Sequence, residues 1–214
     1  MIQNPRHELL FEIAMRQLCS GDSRGAVFNA ASAAESFYLF FINVAFAARG
    51  LGITATRPKR WAWLHRSEQQ AGGFAVAHAF LFNEPPSDAV LKLSNLRNEV
   101  VHAGQVPTQE EAEKHVRTVY EMIVPLVLKL RDAAGESFHK ETSRLIIDAV
   151  GDRMAAGVSP VTCLIGTVIC CIDNSALTRD FAASRALFEK YTLPRLQADQ
   201  LSQLYRLLQP GDPA

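Results

Sequence analysis

One stretch limits the possible folds more than any other. From Gly25 to Ala48 the chain reads GAVFNAASAAESFYLFFINVAFAA, and Glu35 is its only charged residue. A segment so apolar and so free of strand or turn signals reads as one long helix held inside a bundle, spanning about 23–50 and closed by the glycines of "ARGLG". Its most apolar part, SFYLFFINVAFAA, is interrupted by Asn43. A second apolar run, VSPVTCLIGTVICCI, lies near the C-terminus. Both are shorter than the roughly 20 residues that a membrane span requires, so both are expected to be buried helices, with no membrane partner.

The rest of the chain has the same texture. Sustained two-residue alternation and Asn-Gly hairpin turns are missing, and helical periodicity is widespread. Helices are expected over about 6–20, 72–82 and 88–103. "NEPPSD" forms a break, Ser87 serves as an N-cap and Gly104 as a stop. Thr108 and Glu111 have capping-box spacing, and apolar residues recur at 112, 116, 119, 120, 123, 127 and 130 along one face. Pro125 interrupts that face, and a kink or break is expected there. The fold class is therefore all-α, an up-and-down helical bundle. Its domain is placed at residues 1–134, and 135–214 form a C-terminal helical extension of shorter helices.

With 214 residues, nearly half hydrophobic, and a net charge of zero, the chain should bury a real core. Neutrality argues against a protein that coats nucleic acid over its whole surface. The four cysteines, Cys19, Cys163, Cys170 and Cys171, fit neither a zinc-ligand spacing nor a disulfide framework, and the three in VTCLIGTVICCI are read as small buried hydrophobes. The N-terminus lacks a signal-peptide layout, and a cytoplasmic setting follows as the default. His65, His78, His115 and His139 show no metal-ligand spacing and read as surface or satisfied histidines; no metal and no cofactor is expected.

Residues 96–104, LRNEVVHAG, put three polar groups into an apolar helical pattern. At about 100° per residue, Arg97 falls among Leu93, Leu96, Val100 and Val101. A guanidinium there needs an acidic partner, a phosphate or a route to water. Asn98 and His102 are i,i+4 neighbours on another face, so the amide can orient the imidazole. The helix C-terminus next to His102 favours imidazolium, which suits proton transfer near neutral pH. Glu35, a lone carboxylate, is driven to find a cation, and Arg97 is the natural candidate if the two helices pack together. Such a pair could equally be a structural element without chemistry.

LRNEVVHAG followed by PTQEEAEKHVRTVYEMI resembles the signature of HEPN (higher eukaryotes and prokaryotes nucleotide-binding) domains, an arginine and polar residue followed by a histidine. Arg97, Asn98 and His102 match it. The helix AVFNAASAAESFYLFFI resembles the family's earlier helix, with Glu35 at the acidic position, and the likeness covers roughly residues 8–131. The resemblance implies a homodimeric helical bundle in which two arginine–histidine motifs meet in a composite cleft. It implies a metal-independent endoribonuclease of a toxin–antitoxin or phage-defence system, with RNA as substrate and a cognate antitoxin or regulatory protein as a further partner. The alternative within the family is a non-catalytic dimerisation module that binds a nucleotide or protein. On the catalytic reading His102 transfers the proton, Arg97 stabilises phosphate oxygens, Asn98 orients His102 or donates to the phosphate, and Glu35 positions Arg97 or tunes His102. One branch of the family carries a tyrosine two positions after the histidine as a nucleotidylation target. Gly104 stands there in this chain, so that regulation is not expected.

One further stretch bears on RNA. TRPKRWAWLHR combines Arg57, Lys59, Arg60 and Arg66 with Trp61 and Trp63. Cations beside stacking platforms suit single-stranded RNA. The same residues also suit an interhelical connection whose tryptophans pack on the bundle.

Overall fold

The computed structural model describes residues 4–51, 64, 66–87, 93, 100, 105–144 and 167–192. Among these residues every regular element is helical and there is no strand, so the chain is an all-α bundle. Helix α1 spans Arg6–Cys19 and α2 spans Ser23–Ala48. Only three residues separate them, which forces the two helices back along one another. Gly21, with φ of 81°, makes that reversal possible, and Asp22 caps α2 by accepting the Gly25 N–H at 2.9 Å. Gly50, with φ of 71°, ends α2 as the glycine pattern predicts.

Helix α2 is the hub, packing against α1, against α3 (Ser67–Phe82) and against α4 (Gln109–Ala134). By length and composition alone α2 could cross a membrane. Its apolarity is accounted for by neighbours on several sides, since Val27, Ala30, Ala34, Phe37, Phe41 and Val44 are all buried. Phe41 meets Phe74 edge-to-face at 4.9 Å and Tyr38 lies 4.7 Å from Phe74, which locks α3 to α2. Each such ring contributes roughly 1.5–3 kcal/mol by leaving water.

Helix α3 begins five residues before the position expected from the sequence. Gln69 Oε1 accepts the Arg66 N–H at 3.1 Å, and Gln70 donates to the Leu64 carbonyl at 3.0 Å. These two glutamines turn a stretch that looks like loop into the first turn of a helix.

Helix α4 starts with the expected capping box: Glu111 N–H donates to Thr108 Oγ1 at 3.2 Å, and Thr108 N–H to Glu111 Oε2 at 2.8 Å. The seven apolar positions read from the sequence are all buried. Of the kink or break expected at Pro125, a break does not occur, and α4 runs through it. Pro125 faces solvent, where water can satisfy the carbonyl that its missing N–H leaves free. Gly135 closes α4, and residues 136–144 form helix α5, whose Phe138 packs on Phe40 at 5.7 Å.

The C-terminal part described, residues 167–192, shares the core of the bundle. It contains two short helices, α6 (Asn174–Leu177) and α7 (Phe181–Leu187), followed by a wider π-type turn at Phe188–Thr192. Ile169, Cys171, Leu177, Phe181 and Phe188 belong to the same buried cluster as α1, α2 and α4. The Tyr120 hydroxyl bonds to the Arg179 carbonyl at 2.9 Å and to Ser184 Oγ at 2.8 Å. Arg185 pairs with Glu113 at 2.7 Å.

Candidate functional site

Of the four residues assigned to chemistry by the sequence, Glu35 is described; Arg97, Asn98 and His102 lie outside the described residues. Glu35 sits half-buried on α2 and accepts a hydrogen bond from Ser67 Oγ at 2.6 Å. Ser67 opens α3, so the carboxylate ties the start of that helix to the middle of α2. Ala31, Ala34, Tyr38, Ser67, Ala71 and Leu93 border the same small cavity. Burial, reinforced by the nearby Glu35 charge, pushes the Tyr38 hydroxyl above its ordinary range. Tyr38 is therefore no acid or base at neutral pH.

Leu93 is the bordering residue that stands near the motif in sequence. It is buried and lies four positions before Arg97 in sequence. The chain carrying LRNEVVHAG thus reaches the wall of the Glu35 cavity at Leu93. Of the basic and aromatic stretch, Arg57, Lys59, Arg60, Trp61 and Trp63 lie outside the described residues. Arg66 is exposed just before α3.

A second polar centre, unforeseen in the sequence, lies on the inner face of α1. His7, Glu8 and Glu12 are all buried, with 1%, 1% and 6% exposure. Glu8 Oε1 accepts the Cys171 N–H at 2.7 Å. Its Oε2 accepts from Thr167 Oγ1 at 2.9 Å and from Asn4 Nδ2 at 2.7 Å. Glu12 Oε2 accepts the Val168 N–H at 3.0 Å. His7 Nε2 lies 3.4 Å from Cys171 Sγ, with its ring against Phe37 and Phe40 at 5.4 and 5.0 Å. Two carboxylates on successive turns of α1 thus hold a non-helical stretch of backbone inside the protein and satisfy its Val168 and Cys171 N–H groups.

Burial dominates the electrostatics of this centre. It raises the Glu8 carboxyl, against the hydrogen bonds from Asn4, Cys171 and Thr167. It pushes Glu12 up to about 7, opposed by the Val168 N–H and aided by the charge of Glu8. It lowers His7 to about 3 and drives the Cys171 thiol well above its usual value. The imidazole is neutral and the thiol keeps its proton, so the pair is not a nucleophilic dyad. Nitrogen, oxygen and sulfur donors from His7, Glu8 and Cys171 nevertheless lie within 4.8 Å of one another.

The sequence held a signal for this centre. Glu8 and Glu12 form a like-charged i,i+4 pair, unfavourable on an open surface, on a stripe that continues to the buried Met15. Reading the cysteines only as hydrophobes concealed the partner. Cys170 and Cys171 are indeed buried free thiols, whereas Cys19 is half-buried and donates to Glu189 at 3.6 Å.

The remaining histidines divide. His78 is buried and satisfied, its Nδ1 2.8 Å from the Glu84 carbonyl. His139 is exposed. His115, expected at a surface or with a partner, is buried, and its Nε2 has no hydrogen-bond partner among the described residues. Burial lowers its pKa to about 4. The chain matches no family model, no curated protein and no solved structure.

Proposed function

We propose that the protein is a HEPN-type, metal-independent endoribonuclease acting as a homodimer in the cytoplasm, in a toxin–antitoxin or phage-defence setting. The observation that carries this reading is the Arg97–Asn98–His102 motif in LRNEVVHAG, together with the lone carboxylate Glu35 on the preceding long helix. Two structural facts support it. The fold is an all-α bundle built around that helix, and Leu93, four positions before Arg97, borders the cavity that Glu35 lines.

The chemistry uses the nucleophile that RNA carries. The ribose 2′-hydroxyl attacks the adjacent phosphorus while the bond to the 5′-oxygen breaks, leaving a 2′,3′-cyclic phosphate and a 5′-hydroxyl. His102 handles a proton of this exchange, and the His102 of a second subunit can serve its other half. Arg97 offsets the charge that builds on the phosphorane oxygens, and Asn98 orients the imidazole. Glu35, itself fixed by Ser67, holds Arg97 in register.

The test incubates purified protein with RNA in the presence of a chelator. Wild type is expected to cut and leave cyclic-phosphate ends, and Arg97→Ala and His102→Ala to lose activity by several orders of magnitude. Equal cleavage by wild type and both variants removes the nuclease assignment. Binding of RNA or nucleotide without cleavage would make the protein a non-catalytic module of the same kind.

A further inference from the structure

We propose that His7, Glu8 and Cys171 form a binding site for one zinc ion, which fixes the 167–171 segment to α1. This does not depend on the ribonuclease reading, which invokes no metal. The geometry comes first. The three donor atoms lie within 4.8 Å of one another, and His7 Nε2 is 3.4 Å from Cys171 Sγ. A tetrahedral zinc ion with bonds of roughly 2.0–2.3 Å holds its ligand atoms about 3.3–3.8 Å apart. The imidazole and the sulfur already stand at that separation, and small rotations of the Glu8 carboxylate complete the set.

Donor chemistry selects the ion. Magnesium and calcium take oxygen ligands, whereas an imidazole, a thiolate and a carboxylate together suit zinc. Charge agrees with this choice. A carboxylate and a thiolate carry two negative charges, which one divalent cation neutralises in a place where unbalanced charge is expensive. On binding, the zinc–sulfur bond replaces the S–H bond and the thiol proton leaves to solvent. Three protein donors leave a fourth position for a water molecule.

The surroundings are those of a supported site. Glu8 is oriented by the Cys171 N–H, the Thr167 hydroxyl and the Asn4 amide; Oε2 takes the last two, and Oε1, which accepts only the backbone N–H, keeps a lone pair for a metal. Phe37 and Phe40 flank the His7 ring and hold its orientation. His7 and Glu8 are neighbours on α1, whereas Cys171 lies 164 residues from His7. An ion here therefore joins two distant parts of the chain and does not tighten a local turn.

The test uses the full chain, stripped of metal with a chelator. Zinc affinity is measured by competition with a chromophoric chelator, and cobalt(II) serves as a spectroscopic probe. Wild type is expected to take one zinc per chain and to show a thiolate-to-cobalt charge-transfer band. Cys171→Ser should lose that band and bind zinc at least about 10–100-fold more weakly. Cys19→Ser should match wild type in both. A band that survives in Cys171→Ser, or zinc affinity equal in wild type and Cys171→Ser, overturns the proposal. Should Cys171→Ser fail to fold, wild type decides alone: no charge-transfer band with one equivalent of cobalt overturns it equally.

Discussion

The Glu8 carboxylate accepts the backbone N–H of Cys171 at 2.7 Å across 163 residues of sequence. With Glu12 holding the Val168 N–H, it makes α1 the receptor for a segment that has no helix of its own to satisfy its backbone. A buried N–H without a partner is destabilising by more than a made hydrogen bond stabilises. Glu8 and Glu12 are therefore placed where their removal is felt most.

Replacing Glu8 with alanine leaves the Cys171 N–H, the Thr167 hydroxyl and the Asn4 amide without this acceptor. The expected loss is about 2–4 kcal/mol of unfolding free energy in metal-free buffer. Urea denaturation measures it. A loss below about 1 kcal/mol would mean that the segment is held by apolar packing alone.

Glu12 has the opposite sign near neutrality. Its folded-state pKa is raised from 4.5 to about 7, so the folded protein retains a proton that the unfolded chain releases. Its contribution is full below about pH 4.5 and declines as pH rises through 7. Glu12→Gln mimics the protonated form and keeps a carbonyl for the Val168 N–H. The variant should equal wild type near pH 4.5 and exceed it by on the order of 2–3 kcal/mol at pH 8. Denaturation midpoints at the two pH values decide the matter, and a gap that does not grow with pH refutes it.

His115 governs the acid side. Burial lowers its pKa from 6.5 to about 4, so the unfolded chain gains the proton first as pH falls. Stability from this group is full above about 6.5 and is lost progressively down to 4. His115→Leu should flatten that decline while conserving the buried volume against α4's neighbours. Thermal melts of wild type and variant should diverge as pH falls from 7 to 4, with the variant the more stable at the acid end; parallel curves would count against it.

Ser67 offers a test that separates chemistry from stability. Its hydroxyl meets Glu35 at 2.6 Å at a half-buried position, so Ser67→Ala should lower stability by no more than about 1 kcal/mol. If Glu35 positions Arg97, RNA cleavage should fall about 10-fold, equivalent to roughly 1.4 kcal/mol of barrier. Ser67→Thr, which keeps the hydroxyl, should recover most of it. Cleavage unchanged in a folded Ser67→Ala would remove Glu35 from the site.

How much of this was legible in the sequence differs by element. The capped start of α4, its buried face and the long apolar α2 follow from local patterns, because propensity, capping and periodicity agree there. The start of α3 was missed because glutamines, not the usual Ser, Thr or Asp, satisfy its first turn. At Pro125 a kink and a break were both open, because the pattern does not say that its ring faces water, where the helix continues. Glu35 stood out as a lone charge, but its partner Ser67 did not, since a serine before a glutamine-rich turn carries no long-range signal. The Glu8–Cys171 pairing is hardest of all. Each residue is ordinary in its own neighbourhood, and only the tertiary fold brings them together.

That long reach has a consequence for how the chain is made. The carboxylates at positions 8 and 12 are synthesised 163 and 156 residues ahead of the N–H groups they bind, at 171 and 168. At roughly 5–20 residues per second, the inner face of α1 waits on the order of ten to thirty seconds for its partner. During that interval α1, α2 and α4 can assemble on the ribosome, but two acids remain turned towards an unfilled groove. The inner face of α1 is thus completed only when Thr167–Cys171 emerges, and a nascent chain stalled before that point would leave Glu8 and Glu12 without the N–H groups they bind.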